Sequence, residues 1–168
     1  MLTSSMSIAA SADLSTALDL GVARAPVQVR RAVALASGTG VGKADRVFSD
    51  RRSIAASSSE DLDLAGVLLD AFGVAITFAR VKGLIVTAAA TNVNNVVVGA
   101  ASGSPWAGLL GATHTLTLRP GASFAVMAGE ADATGYAVTA TSADLLKIAN
   151  SSSGSAVSYD IVIIGASA

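Results

Sequence analysis

Asp144-Leu145-Leu146-Lys147-Ile148-Ala149-Asn150, Ser151-Ser152-Ser153-Gly154-Ser155 and Ala156-Val157-Ser158-Tyr159-Asp160-Ile161-Val162-Ile163-Ile164-Gly165 decide the fold. Two β-rich runs flank a small polar turn, the pattern of an antiparallel hairpin. In the second run Val157, Tyr159, Ile161 and Ile163 share one face. Ser158 and Asp160 begin the other face, and Val162 and Ile164 continue it. Side chains alternate across a strand, so this one is half-buried at its start and buried on both sides at its end. Such a strand belongs in the middle of a sandwich.

Working back from there, the chain repeats short β-rich runs between turn signals. Tyr136–Ala140, Ser123–Ala128 and Thr113–Leu118 read as strands, the last stopping at Pro120-Gly121. Val96-Val97-Val98 and the apolar run through Leu84-Ile85-Val86 form a second expected hairpin around Thr91–Asn95. Glu60–Leu64 alternates with Asp61 and Asp63 out and Leu62 and Leu64 in. Ala65–Gly73 reads as a turn or one helical turn. Between Arg46 and Ala55, Val47, Ser49, Arg51 and Ser53 oppose Phe48, Asp50, Arg52 and Ile54. Val27–Leu35 alternates with Val27, Val29 and Arg31 on one side and a parity shift expected at Arg30-Arg31. Ser15–Ala23 reads as a strand, with a short helix over Asp13–Leu20 as the alternative. Residues 1–12, rich in Ser and Ala, read as a loose arm. Roughly nine to eleven short strands with little helical periodicity predict an all-β fold, an antiparallel β-sandwich of jelly-roll type. The expected organisation is an N-terminal arm with lead-in strands over 1–44 and a sandwich domain over 45–168.

Composition narrows the classes. Of 168 residues, 52% are apolar but only 4% aromatic, so Ala, Val, Leu and Ile must fill the core. Small side chains bury little area each, at roughly 25 cal/mol per Å². Charged residues are 14%, below the usual quarter, which fits a surface partly covered by partners. The expectation is a homo-oligomer, dimer or trimer, or a component of an assembly. A net charge of −1 without a basic run argues against nucleic acid. There is no cysteine, so disulfides and thiolate metal sites are excluded. Asp70 and Gly73 interrupt the longest apolar stretch, Leu64–Ala79, which is too short for a spanning helix. Met1–Ala12 has no basic start and no continuous apolar run, so it does not read as a secretory signal, and a soluble protein is expected.

No stretch has the spacing of a catalytic or cofactor motif. Gly38-Thr39-Gly40-Val41-Gly42-Lys43 lacks the four residues a phosphate loop needs between its glycines, and Ala44 stands where Ser or Thr would follow the lysine. It reads as an inter-strand loop. Asp160–Gly165 resembles the first strand of a dinucleotide fold, but three residues follow Gly165, leaving no βαβ unit to hold a pyrophosphate. His114 is the only histidine and has neither cysteine nor a second histidine to join it. Asp61 and Asp63 share a strand face that reads as solvated, or as a surface meeting the Arg51-Arg52 or Arg30-Arg31 pair of a neighbour. Trp106, after Pro105 on a glycine-rich loop, is an interface anchor, a core plug or a sugar-stacking residue. The expected interface residues are therefore Trp106, Arg51, Arg52, Asp61 and Asp63, with no catalytic residue, cofactor or metal.

A family resemblance adds to this reading. Asp61-Leu62-Asp63-Leu64-Ala65-Gly66, Asp70-Ala71-Phe72-Gly73 and Phe78-Ala79-Arg80-Val81-Lys82 resemble stretches in small virion accessory proteins of tailed bacteriophages. So do Asn92–Gly99, Ala133–Val138, Asp144–Ile148 and Tyr159–Gly165, and the likeness covers roughly residues 45–165. It implies a non-enzymatic head decoration, cement or head-fibre protein with a β-sandwich. Its partners would be the major capsid protein or other virion proteins, and its place the head surface. The alternative is a tail or fibre module that binds host glycans, for which Trp106, Tyr136 and Tyr159 are the available aromatic residues.

Overall fold

The computed structural model describes residues 1–168, and every regular element in it is a strand. The N-terminal part holds β1 (Ser4–Leu18), β2 (Gly21–Ser37) and the short β3 (Lys43–Ala44). Then come β4 (Arg46–Ile54), β5 (Ser59–Asp63), β6 (Leu68–Leu69), β7 (Ala75–Ile76) and β8 (Arg80–Ala88). The remaining strands are β9 (Val96–Gly99), β10 (Thr115–Leu118), β11 (Ser123–Met127), β12 (Tyr136–Ala137), β13 (Leu145–Asn150) and β14 (Val157–Ala166).

Two antiparallel sheets form the body. One runs β11-β8-β14-β4, with β12 also paired to β8, and the other runs β10-β9-β13-β5. Their inner faces share one core of 22 buried residues, in which Leu84, Val86 and Ile161 of the first sheet meet Val98, Leu146 and Ile148 of the second. The protein is thus an all-β antiparallel sandwich, the fold class the alternation predicts. β14 occupies the place expected of it. Ile161 pairs with Asp50 of β4 on one side and Val86 of β8 on the other. Val157, Tyr159, Ile161 and Ile163 point into the core, each at most 1% exposed. Burying an aliphatic side chain of that size contributes roughly 1.5–3 kcal/mol. On the opposite face Ile164 is buried beneath Met6, Leu35 and Ala44, with Val162 packed beside them. The second half of β14 is therefore covered on both sides because the base of the β1–β2 ribbon lies on it.

Neither expected hairpin forms. β13 pairs with β5 and β9, whereas β14 pairs with β4 and β8, so Ser151–Ser155 is an arch between the sheets. Likewise β8 and β9 lie in opposite sheets. Alternation fixes which residues face the core, but strands with inward apolar faces satisfy it equally in one sheet or in two. Asparagines decide the matter by holding the arches. Buried Asn150 donates from Nδ2 to the carbonyls of Ala55 at 3.2 Å and Ser155 at 2.8 Å. Asn94 Nδ2 donates to Asn150 Oδ1 at 3.0 Å and to the Ser155 carbonyl at 2.9 Å. Asn92 accepts from Ser158 N and donates to Ser158 O, both at 2.8 Å, and so takes the place of a strand neighbour beside β14.

The N-terminal expectations change too. The arm expected over residues 1–12 is not loose, since β1 begins at Ser4, and Asp13–Leu20 is not helical. β1 and β2 pair without interruption from Ser4–Leu35 to Leu18–Gly21, and no parity shift occurs at Arg30-Arg31. The run Ala65–Gly73 forms no helical turn; it contributes β6 and the turn to β7, where Gly73 adopts φ +78°.

Candidate interaction surface

Paired residues in an antiparallel ribbon project to the same side. One face of the β1–β2 ribbon therefore carries Met6 opposite Val33, Ile8 opposite Arg31 and Ala10 opposite Val29. The same face continues with Ala12 opposite Val27, Leu14 opposite Ala25 and Leu18 opposite Gly21. The other face carries Ser7, Ser11, Asp13 and Ser15 with Arg30, Gln28 and Arg24, and its one bulky aliphatic residue is Val22, opposite Ala17 near the tip and 63% exposed. The ribbon is amphipathic. Only its root is covered: Met6 and Leu35 are buried on the body. Gly83 makes that seat, since a Cβ there would lie 2.0 Å from Met6 Sδ. Farther out the same apolar face is open, with Leu14 76%, Leu18 60%, Val27 56% and Val29 49% exposed. On the polar face Arg24 meets Asp13 at 3.3 Å.

The five residues read as an interface fall into different settings. Trp106 is a core plug, which corrects the interface reading: it is 5% exposed and its Nε1 donates to Ala137 O at 2.8 Å. Tyr136 packs edge-on against it with ring centroids 6.4 Å apart. Burial also takes Trp106 and Tyr159 out of any sugar-stacking platform. Arg51 does face outward, but it forks onto Asp160 of its own chain at 2.6 and 2.8 Å. That pair holds the Asp160 carboxyl below the usual carboxylate range. Arg52 faces inward at the edge of the sandwich and meets Glu60 at 2.6 Å and Asp50 at 2.8 Å. Asp63 is engaged in a turn, where its Oδ1 accepts from Ala65 N at 3.0 Å. Asp61 is exposed opposite Lys147 of β13. An arginine pair of a neighbour would thus find Asp61 free, but Asp63 occupied.

Glu60, read only as a flank of the acidic face, is the more telling carboxylate. It shares parity with Leu62 and Leu64 and so turns inward, where it joins the two sheets. Its Oε1 accepts from Tyr159 Oη at 2.9 Å, and its Oε2 binds Arg52. The hydrogen bond to Glu60 raises the Arg52 pKa, and burial followed by the Glu60 charge raises that of Tyr159. This cluster closes the open edge between β4 and β5. Its groups are paired with one another, as a structural ion pair requires.

Elsewhere the chemistry is sparse. His114 is exposed on the loop before β10, beside Gly111. No group of three or more His, Asp or Glu side chains is arranged to hold a metal ion. No helix is long and apolar enough to cross a membrane. Besides the ribbon, the β6–β7 turn exposes Phe72 at 91%, on a loop held by Asp70 Oδ1 accepting from Phe72 N and Val74 N at 2.9 Å each. No family model, curated protein or solved structure matches the chain.

Proposed function

We propose that this chain is a non-enzymatic structural protein of a tailed-phage virion, a decoration or cement protein that stabilises the head through contacts between subunits. The observation that carries the reading is the ribbon. Its fifteen-residue first strand is fully paired, yet beyond the root its apolar face meets nothing in its own chain. A contiguous apolar surface of that kind marks a place where another molecule sits. The low share of charged residues and the paired state of the Arg52–Glu60 cluster fit a protein whose work is contact. The resemblance across residues 45–165 supplies the setting: major capsid protein or other virion proteins as partners, on the outer surface of the head. Many copies on one lattice would share modest interfaces and gain avidity from repetition.

The test is to add the purified chain to phage heads that lack it. Binding at a fixed number of copies per head, with heads that survive heating or chelation longer, is the expected result. Heads that neither retain the chain nor gain resistance would remove the proposal.

A further inference from the structure

We propose that two copies of this chain pack the apolar faces of their ribbons together, antiparallel, about a twofold axis at the level of the Asp13–Pro26 pair. The inference concerns the purified chain and does not rest on the virion reading. A two-stranded ribbon alone in water is marginal at best. This one keeps an unbroken register to its tip, and Leu14, Leu18, Val27 and Val29 stay open on one side. A cover must come through that face. The opposite face carries Asp13, Arg24 and Arg30, with Val22 as its single bulky aliphatic residue, and Pro26 lacks the N–H that an added strand would need on β2.

The pattern of the face identifies the cover as a second copy. Laid antiparallel about the Asp13–Pro26 level, the β2 strands place Val27 of one copy over Ala25 of the other and Val29 over Ala23. The β1 strands place Leu14 over Ala12, so bulky side chains meet small ones on both strands. Ile8 falls over Leu18, and the only charge on the face, Arg31, comes to the partner's tip beside its Asp19 carboxylate. One such pair closes each end. The ten steps from Ile8 to Leu18 span roughly 34 Å at about 3.4 Å per residue. With two strands across, each copy would bury on the order of 500 Å². The total, on the order of 1,000 Å², reaches the lower limit for a specific interface. A nucleic acid would find one cation on this face. A lipid surface would not select the alternation of bulky and small residues.

Sedimentation equilibrium on the full chain tests this. The wild type should have twice the mass of one chain at about 50 µM, whereas the double variant Val27→Asp, Val29→Asp should be a single chain at that concentration, a loss of at least about 100-fold in affinity. Gln28→Asp, on the polar face, should leave the dimer intact. Because the chain has no cysteine, the geometry can be read directly. A mixture of Ala12→Cys chains and Leu14→Cys chains should oxidise to a covalent dimer, and a mixture of Ser11→Cys with Leu14→Cys should not. The cysteine arm decides the matter even if the aspartate variant fails to fold. A wild-type chain that stays single at 50 µM overturns the inference, whatever else the ribbon then binds. So does a Val27→Asp, Val29→Asp chain that folds and dimerises, or a dimer in which positions 12 and 14 do not cross-link.

Discussion

Tyr159 keeps its ring in the core and donates its hydroxyl proton to Glu60, and both facts oppose ionisation. The folded-state pKa lies above the ordinary value near 10, so the unfolded chain releases this proton first as pH rises. The stabilisation is fully present below pH 10 and is lost above it, at up to about 1.4 kcal/mol per pH unit. Tyr159→Phe removes that dependence and costs about 1 kcal/mol at neutral pH for the lost hydrogen bond. Urea melts from pH 8 to 11 should therefore show the two proteins converging above pH 10, and parallel curves would contradict the assignment. Lys82 acts with the opposite sign. Burial lowers its pKa, so its penalty is present at neutral pH and fades as pH rises toward the ordinary lysine value. Comparison with Tyr159→Phe in the same buffers separates the two. The sequence contains the signal for this cluster, because Glu60 shares parity with Leu62 and Leu64. A charge at the end of an acidic run reads as solvated until the strand that brings Arg52 and Tyr159 is known.

At the scale of elements, β8 and β14 show what periodicity reveals and what it hides. Alternation along Val157–Ile164 places β14 in the middle of the sandwich and predicts its doubly buried end. It does not reveal the irregularity where Ile164 pairs with Gly83 but Gly165 pairs with Val81. The extra residue is Lys82, which the bulge turns under the 129–135 loop to donate to the Asp132 carbonyl. Val81 then faces the core with Leu84 and Val86 despite the opposite parity. A run that is apolar on both sides gives no sign of such a shift. Gly165 permits it: a Cβ there would stand 2.3 Å from the Arg80 carbonyl oxygen and 2.6 Å from the buried Phe78 ring. Backbone cannot yield as a side chain tip can, so Gly165→Ala should cost roughly 1–3 kcal/mol. Calorimetry should find a melting temperature lower by roughly 3–10 °C. A shift of less than about 1 °C would mean the bulge relaxes freely. The hairpins expected around Thr91–Asn95 and Ser151–Ser155 fail for a related reason. Turn residues announce a reversal of the chain, and only the side chains of Asn92, Asn94 and Asn150 settle that the returning strand joins the other sheet.

At the scale of the whole molecule, the body and the ribbon differ in how they are held. The body closes around its own core, whereas the ribbon is tied down at Met6 and Leu35 and open beyond. The sequence shows Val27, Val29 and Arg31 on one side of β2, which is the face found. Ser/Ala contrast along residues 4–18 is too weak to show that β1 supplies the other half of that surface. Trp106 is ambiguous in the sequence for a different reason, because a lone aromatic residue on a glycine-rich loop fits a core and an interface equally well until the Ala137 carbonyl is found beneath it. If the chain works by contact between subunits, as proposed above, the ribbon is a contacting element. Hydrogen exchange of the backbone amides of residues 8–31, followed by mass spectrometry across a dilution series, reads that contact amide by amide. Protection close to that of β14 is expected at high concentration, falling selectively in the ribbon as the protein is diluted. Ribbon amides that exchange as fast as an unfolded chain at every concentration would contradict it.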